Sequence, residues 1–185
     1  SVVPLNLPAT SGGGGTATSI SSNGVLSLAS GKTAIAPGSV ISIFGQNLGT
    51  GGSASATPLP TRLGGTCVTL DEVPLPLAMS SAGQINAYPP ETITAARHSL
   101  VVRAYERNAA SSTYSLTVSK FAPSVFVNET TTQAALYKAN GSAVSNRNKA
   151  NRDEPLTMYA SGLGATRSGV PVEDVQVFFG EPRMT

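Results

Sequence analysis

The chain has no tryptophan, one cysteine and one histidine among its 185 residues, and each scarcity removes a class of function. One cysteine cannot close an intrachain disulfide. A zinc site needs several His or Cys ligands, and Cys67 and His98 are the whole supply. Aromatic residues make up only 5%, so any core must be built from Val, Leu and Ile. The tyrosines Tyr88, Tyr105, Tyr114, Tyr137 and Tyr159 are scattered, not gathered as a stacking platform would require. Charged residues make up 12%, with a net charge of +2. A phosphate-binding surface needs clustered Lys and Arg. The one basic cluster, Arg147, Lys149 and Arg152, reads as a solvated loop, so nucleic acid is not an expected partner. No apolar run approaches the ~20 residues of a membrane helix.

What the chain has in quantity is Gly (19) and Pro (13), with abundant Ser, Thr, Ala and Val. That composition suits many short strands joined by turns. The chain opens at Ser1 without a signal-peptide pattern, as expected of a processed or trimmed chain. Low charge and Ser/Thr/Gly richness point to an exported protein, outside the cell or at the surface of a bacterium.

An internal repeat organises the rest. Ala36-Pro37-Gly38-Ser39-Val40-Ile41-Ser42-Ile43-Phe44-Gly45-Gln46-Asn47-Leu48-Gly49 returns, altered, as Glu154-Pro155-Leu156-Thr157-Met158-Tyr159-Ala160-Ser161-Gly162-Leu163-Gly164. Ile41 aligns with Leu156, Ile43 with Met158, Phe44 with Tyr159 and Leu48 with Leu163, without a gap. Leu63-Gly64-Gly65-Thr66-Cys67-Val68-Thr69-Leu70-Asp71-Glu72 is echoed by Val172-Glu173-Asp174-Val175-Gln176-Val177-Phe178-Phe179-Gly180-Glu181. A unit of about 100 residues is the size of a small β-sandwich. Strand periodicity is predicted over residues 25–28, 40–44, 66–70, 75–79, 84–88, 99–105 and 115–119, then 134–137, 156–160 and 175–179. No segment carries helical periodicity. The expected fold is all-β, with tandem sandwiches. Residues 1–32 would be an extended strand and Gly-rich tether, 33–120 the first sandwich, and 121–185 a second, incomplete one. Val40, Phe44, Val68, Leu70, Ile85, Val102 and Leu116 are the expected core.

The run from Ala36 to Gly45, then Pro58-Leu59-Pro60-Thr61-Arg62-Leu63-Gly64-Gly65, Pro76-Leu77, Gln84-Ile85-Asn86, Ala122-Pro123-Ser124-Val125-Phe126 and Tyr159-Ala160-Ser161-Gly162-Leu163-Gly164 resemble a known pattern. It is the C-terminal repeat region of uncharacterised secreted acidobacterial proteins, which is similar to immunoglobulin-like domains of the TIG/IPT type. The resemblance covers residues 33–185 and implies export and an immunoglobulin-like fold. It implies no catalytic residues. No cofactor is expected. Asp71-Glu72 departs from it, standing where an Asn-Gly-type turn is usual.

Candidate sites are few. No Gly-x-Ser-x-Gly elbow accompanies His98, which reads as a loop residue ahead of a strand. Cys67 and Thr69 should face away from a core that takes Val68 and Leu70. Asp71, Glu72, Glu173 and Asp174 lack calcium-loop spacing and read as turn residues. The glycines Gly45, Gly49, Gly64, Gly65, Gly162 and Gly164 read as turn residues, since no Lys-Ser or Lys-Thr pair follows any of them. Gln84-Ile85-Asn86 reads as two amides that bond loop backbone on either side of an inward Ile85, with a ligand role as the alternative. Asn128 and Asn140 open N-glycosylation patterns.

The expected function is therefore non-catalytic: a structural or adhesive module, a subunit of a surface assembly or filament, with other protein chains or copies of itself as partners. The alternative is an accessory carbohydrate- or protein-binding module of a larger secreted enzyme. Val3, Leu5 and Leu7 alternate as in a strand, and Pro4 and Pro8 deprive it of N–H groups along one edge. This is the candidate assembly strand. Val175, Val177 and Phe179 are the candidate acceptor edge.

Overall fold

The structure, a computed structural model, describes residues 17–127, 133–167 and 170–177. The candidate assembly strand at Val3, Leu5 and Leu7, together with Asn128 and Phe179, lies outside them. Among the described residues there is no α-helix, and no helix is long and apolar enough to cross a membrane. The chain is all-β, built of antiparallel sheets.

Ten strands form the first unit: β1 (Ser19–Ser27), β2 (Ile41–Gln46), β3 (Gly52–Ser53), β4 (Thr66–Leu70), β5 (Val73–Pro74), β6 (Leu77–Ser80), β7 (Gln84–Ala87), β8 (Arg97–Ala104), β9 (Ala109–Ala110) and β10 (Tyr114–Thr117). One sheet has the order β1-β2-β7-β6-β3, and the other β10-β8-β4-β5 with β9 on β8. Both turn one face to a shared apolar cluster. The first sheet supplies Val25, Ile41, Ile43, Leu77 and Ile85, and the second supplies Val68, Leu70, Leu100, Val102 and Leu116. Ile35 and Val118 close the cluster through a parallel bridge, with the Ser119 amide donating to the Ile35 carbonyl at 2.8 Å.

Two expectations need correction here. The first unit begins before residue 33: the strand expected at 25–28 starts at Ser19, and β1 pairs with β2 from Ser19 opposite Gln46 to Ser27 opposite Ile41. The register shifts between Ile20 and Val25, where Asn23 is left-handed at φ 54°. Second, β2 faces the other way. Ile41 and Ile43 are fully buried, while Phe44 is 36% exposed and Val40 lies only part-buried. The cause is the pairing with β7. Ile43 stands opposite Ile85 and Phe44 opposite Gln84, and residues opposite each other share a face. A strand shifted by one residue exchanges its faces completely. Val68, Leu70, Ile85, Val102 and Leu116 are buried as expected.

The turn from β4 to β5 is a two-residue hairpin, with Leu70 opposite Val73 and both Asp71 (φ 47°) and Glu72 (φ 67°) left-handed. That is the turn type which usually takes Asn-Gly. Holding an L-residue there costs roughly 1–2 kcal/mol. Glu72→Gly is therefore expected to raise stability by about 1 kcal/mol in urea denaturation, allowing for glycine's extra freedom when unfolded. An unchanged or lower midpoint would refute the strain.

The second unit holds β11 (Ser124–Val125), β12 (Leu136–Lys138), β13 (Leu156–Met158), β14 (Ala160–Ser161), β15 (Thr166–Arg167) and β16 (Val170–Pro171). Its pairings repeat those of β1 with β2. Ile20 pairs Gly45 as Val125 pairs Ala160, and Val25 pairs Ile43 as Leu136 pairs Met158. The turn before the strand repeats as well. In the first unit the Ala36 amide donates to Ser39 Oγ at 3.0 Å; in the second the Asn151 amide donates to Glu154 Oε2 at 2.8 Å. Gly38 (φ 74°) and Asp153 (φ 61°) hold the same left-handed position, and so do Asn47 (φ 55°) and Gly162 (φ 71°) after the strand. Gly162 carries a second demand, because a Cβ there would overlap the Ala122 carbonyl and approach Ser39 Oγ to 3.1 Å. This contact joins the two units, along with an ion pair of Lys120 with Glu173 at 2.5 Å and a hydrogen bond from the Thr166 hydroxyl to Glu91. The second echo read from the sequence does not continue this correspondence. Val175 and Val177, the counterparts of Thr66 and Val68, lie in no strand and are 47% and 48% exposed.

Candidate functional site

Three polar clusters and one strand edge carry the chemistry of the described residues. At the first cluster β8 turns His98 inward beside Leu100 and leaves Ser99 outward. His98 is the second residue of a strand, not part of a loop, and only 9% exposed. Its Nδ1 lies 2.6 Å from Asp71 Oδ2 and its Nε2 lies 2.9 Å from the Thr94 carbonyl. A carbonyl and a carboxylate both accept, so the arrangement favours a ring protonated on both nitrogens. Burial of the ring opposes that charge. The bonds to Asp71 and Thr94 and the Asp71 charge outweigh it and hold the pKa above the ordinary histidine value. The bond to His98 and then the Ser99 amide, at 2.8 Å from Oδ1, hold the Asp71 carboxyl below the ordinary range. Asp71 thus ties the tight turn to the start of β8. With Nε2 committed to a backbone carbonyl, His98 has no nitrogen left to take a proton from a serine, as a hydrolytic triad requires.

The second cluster covers the outer face of β4. Cys67 stands opposite Arg103, which donates from its guanidinium to Thr69 Oγ1 at 2.5 Å. The Arg62 guanidinium lies 4.1 Å above the Tyr105 ring. Cys67 points away from the core, as alternation predicts, yet is only 7% exposed under this cover. Burial raises its pKa, and the opposing pull of Tyr105, Arg103 and Arg62 is smaller. A protonated, covered thiol is a poor nucleophile. Cys67 is therefore expected to react with a thiol reagent at least about 100-fold more slowly in the native protein than in urea. Comparable rates in the two states would refute its burial.

The third cluster lies on the outer face of the first sheet. Gln84 Nε2 donates to Asn86 Oδ1 at 2.9 Å, and Ser42 Oγ donates to the same oxygen at 3.0 Å. The two amides thus bond one another and Ser42 across β2, not loop backbone as their sequence suggests. Ile85 between them is fully buried.

In the second unit Tyr137 and Tyr159 meet edge to face, with ring centroids 5.7 Å apart. The sequence gives no sign of this meeting, because β12 and β13 bring the two together only once paired. Lys138 stands where the first unit has Ser27. It reaches Glu154 at 3.4 Å and donates to the Lys149 carbonyl at 2.8 Å.

The strand edge is that of β13. One side is taken: Thr157 stands opposite Tyr137, and the Phe126 amide donates to the Tyr159 carbonyl at 2.9 Å. In the first unit the other side of the equivalent strand is filled by β7, from Ile41 opposite Ala87 to Phe44 opposite Gln84. On β13 that side pairs with no strand among the described residues. Leu156 and Met158 are only part-buried, although their counterparts Ile41 and Ile43 are fully buried. No group of three or more His, Cys, Asp and Glu side chains that could hold a metal occurs among the described residues.

Comparison with family models, with curated proteins and with solved structures found no match to this chain.

Proposed function

We propose that this chain is a non-catalytic structural or adhesive module of tandem immunoglobulin-like sandwiches, acting outside a bacterial cell as a subunit of a surface assembly. The observation that carries the reading is the repeated strand and turn. The Ala36 and Asn151 caps, the left-handed Gly38 and Asp153, and the matching registers of β2 and β13 describe one unit used twice. This repeat is the ground for proposing a role in spacing, display and assembly. The commitment of His98 to structure supports a role without acid–base chemistry.

A second reading draws on the exposed Tyr159 beside Tyr137: an accessory module that holds carbohydrate for a larger secreted enzyme. The two are separated by a glycan array and by electron microscopy of the purified protein. Ordered particles or filaments without glycan binding support the structural role. Binding to a defined glycan that is lost in Tyr159→Ala supports the accessory role. Turnover of any substrate would overturn both.

A further inference from the structure

We propose that the outer face of the first sheet binds a neutral glycan chain, along a strip that runs from Phe44 over Gln84 and Asn86 to Tyr88. The proposal rests on the module reading and deepens its adhesive side by naming the ligand.

The strip follows from the pairing of β2 with β7. Ile43 and Ile85 stand opposite each other and take the core side, so Phe44 opposite Gln84 and Ser42 opposite Asn86 take the outer side. Alternation continues past the end of β7, where Ala87 is fully buried and Tyr88 is 39% exposed. Phe44 and Tyr88 therefore stand at the two ends of one strip, with the amides between them. From Gln84 to Tyr88 the strip runs about 13 Å along the strand, the length of a short oligosaccharide.

The two amides are held in place but not used up. Gln84 Nε2 and Ser42 Oγ both donate to Asn86 Oδ1. Gln84 Oε1 is left as an acceptor and Asn86 Nδ2 as a donor, neither with a partner among the described residues. A sugar hydroxyl both donates and accepts, so neighbouring hydroxyls satisfy the two amides together. Because the amide network already orients both side chains, little freedom is lost on binding. At either end, the negative face of an aromatic ring attracts the positively polarised C–H groups of a sugar ring.

Charge and layout select this class of ligand over others. Strands β1, β2, β3, β6 and β7 contain no Asp, Glu, Lys or Arg. The sheet therefore offers no counter-charge to a nucleic acid, an anionic lipid or a charged peptide. A protein interface has an apolar centre inside a polar rim. Here the order is reversed. Ser42, Gln84 and Asn86 are central, and Phe44, Tyr88 and Leu26, which stands opposite Ser42 on β1, surround them.

The test is affinity electrophoresis of the full chain through gels that hold hydroxyethylcellulose, glucomannan or xylan. At least one of these neutral polysaccharides is expected to retard the unaltered chain. Added sodium chloride is expected to leave the retardation unchanged, because the strip carries no charge. Phe44→Ala/Tyr88→Ala is expected to weaken binding about tenfold or more, through the loss of both rings. Tyr159→Ala is expected to leave it unaltered. Tyr88 lies beyond the last pairing of β7, so Tyr88→Ala alone, expected to weaken binding about threefold or more, keeps the test valid if the double variant fails to fold. Absence of retardation in all three gels, or retardation that salt abolishes, would overturn the proposal. So would retardation kept by the folded double variant and lost in Tyr159→Ala, which would put the site on the second unit. Self-association that the double variant abolishes, without retardation in any gel, would make the face an interface between copies and overturn it as well. Each of these results leaves the structural-module reading in place, since that reading fails on turnover of a substrate.

Discussion

Ile43→Ala is expected to destabilise the first unit by about 2–5 kcal/mol, the range for emptying a fully buried aliphatic site. Phe44→Ala, one residue on and with the larger side chain, is expected to cost about 1 kcal/mol, because a part-exposed ring gives up less burial. The contrast tests the register directly. Ile43 is fully buried between Val25 and Ile85, whereas Phe44 lies outside opposite Gln84. Urea denaturation monitored by far-ultraviolet circular dichroism, with unchanged slope, reads both. A larger loss for Phe44→Ala than for Ile43→Ala would mean that β2 faces the other way.

The second large effect is on pH dependence. His98 is held above its unfolded pKa of about 6.5. Its contribution to stability is therefore complete below that pH and is lost as pH rises through the higher folded value. Asp71 is held below its unfolded pKa of about 3.9. Its contribution is complete above that pH and is lost as pH falls through the lower folded value. Together they give a plateau from about pH 4 to 6.5 with a fall on each side. Asp71→Asn, which keeps the shape and removes the charge, is expected to flatten both flanks in a series of melting temperatures. A variant profile parallel to that of the unaltered protein would show that other groups set the dependence.

The parts of the fold legible in the sequence were those where one face of a strand is unambiguous. Gln84-Ile85-Asn86 has polar residues on both sides of a single apolar one, and Ile85 is buried. Residues 66–70 carry Val68 and Leu70 on one face, and β4 has those bounds. Strand β2 has no such contrast. Val40 and Phe44 compete with Ile41 and Ile43 as the core face, and nothing within the strand separates the two. Matching β2 against β7 would have settled it, because an unambiguous strand orients its neighbour. The two-residue turn at Asp71-Glu72 was visible as a turn. Its link to His98 was not, since 27 residues separate the two in sequence. Tyr137 and Tyr159 were counted as scattered for the same reason.

By itself the sequence determined that this protein is all-β, that it uses one strand-and-turn unit twice, and that Cys67 turns away from the core. These follow from periodicity and from the repeat, which are local properties of the chain. Only the tertiary structure decided which face of β2 is inside, that His98 is buried against Asp71 and the Thr94 carbonyl, and that Val175 and Val177 lie in no strand. Each depends on what stands opposite across a sheet. Cross-strand partners are brought together by pairing between distant segments, and hydrogen-bond alternation then dictates which residues have a face, a proton or an edge to offer.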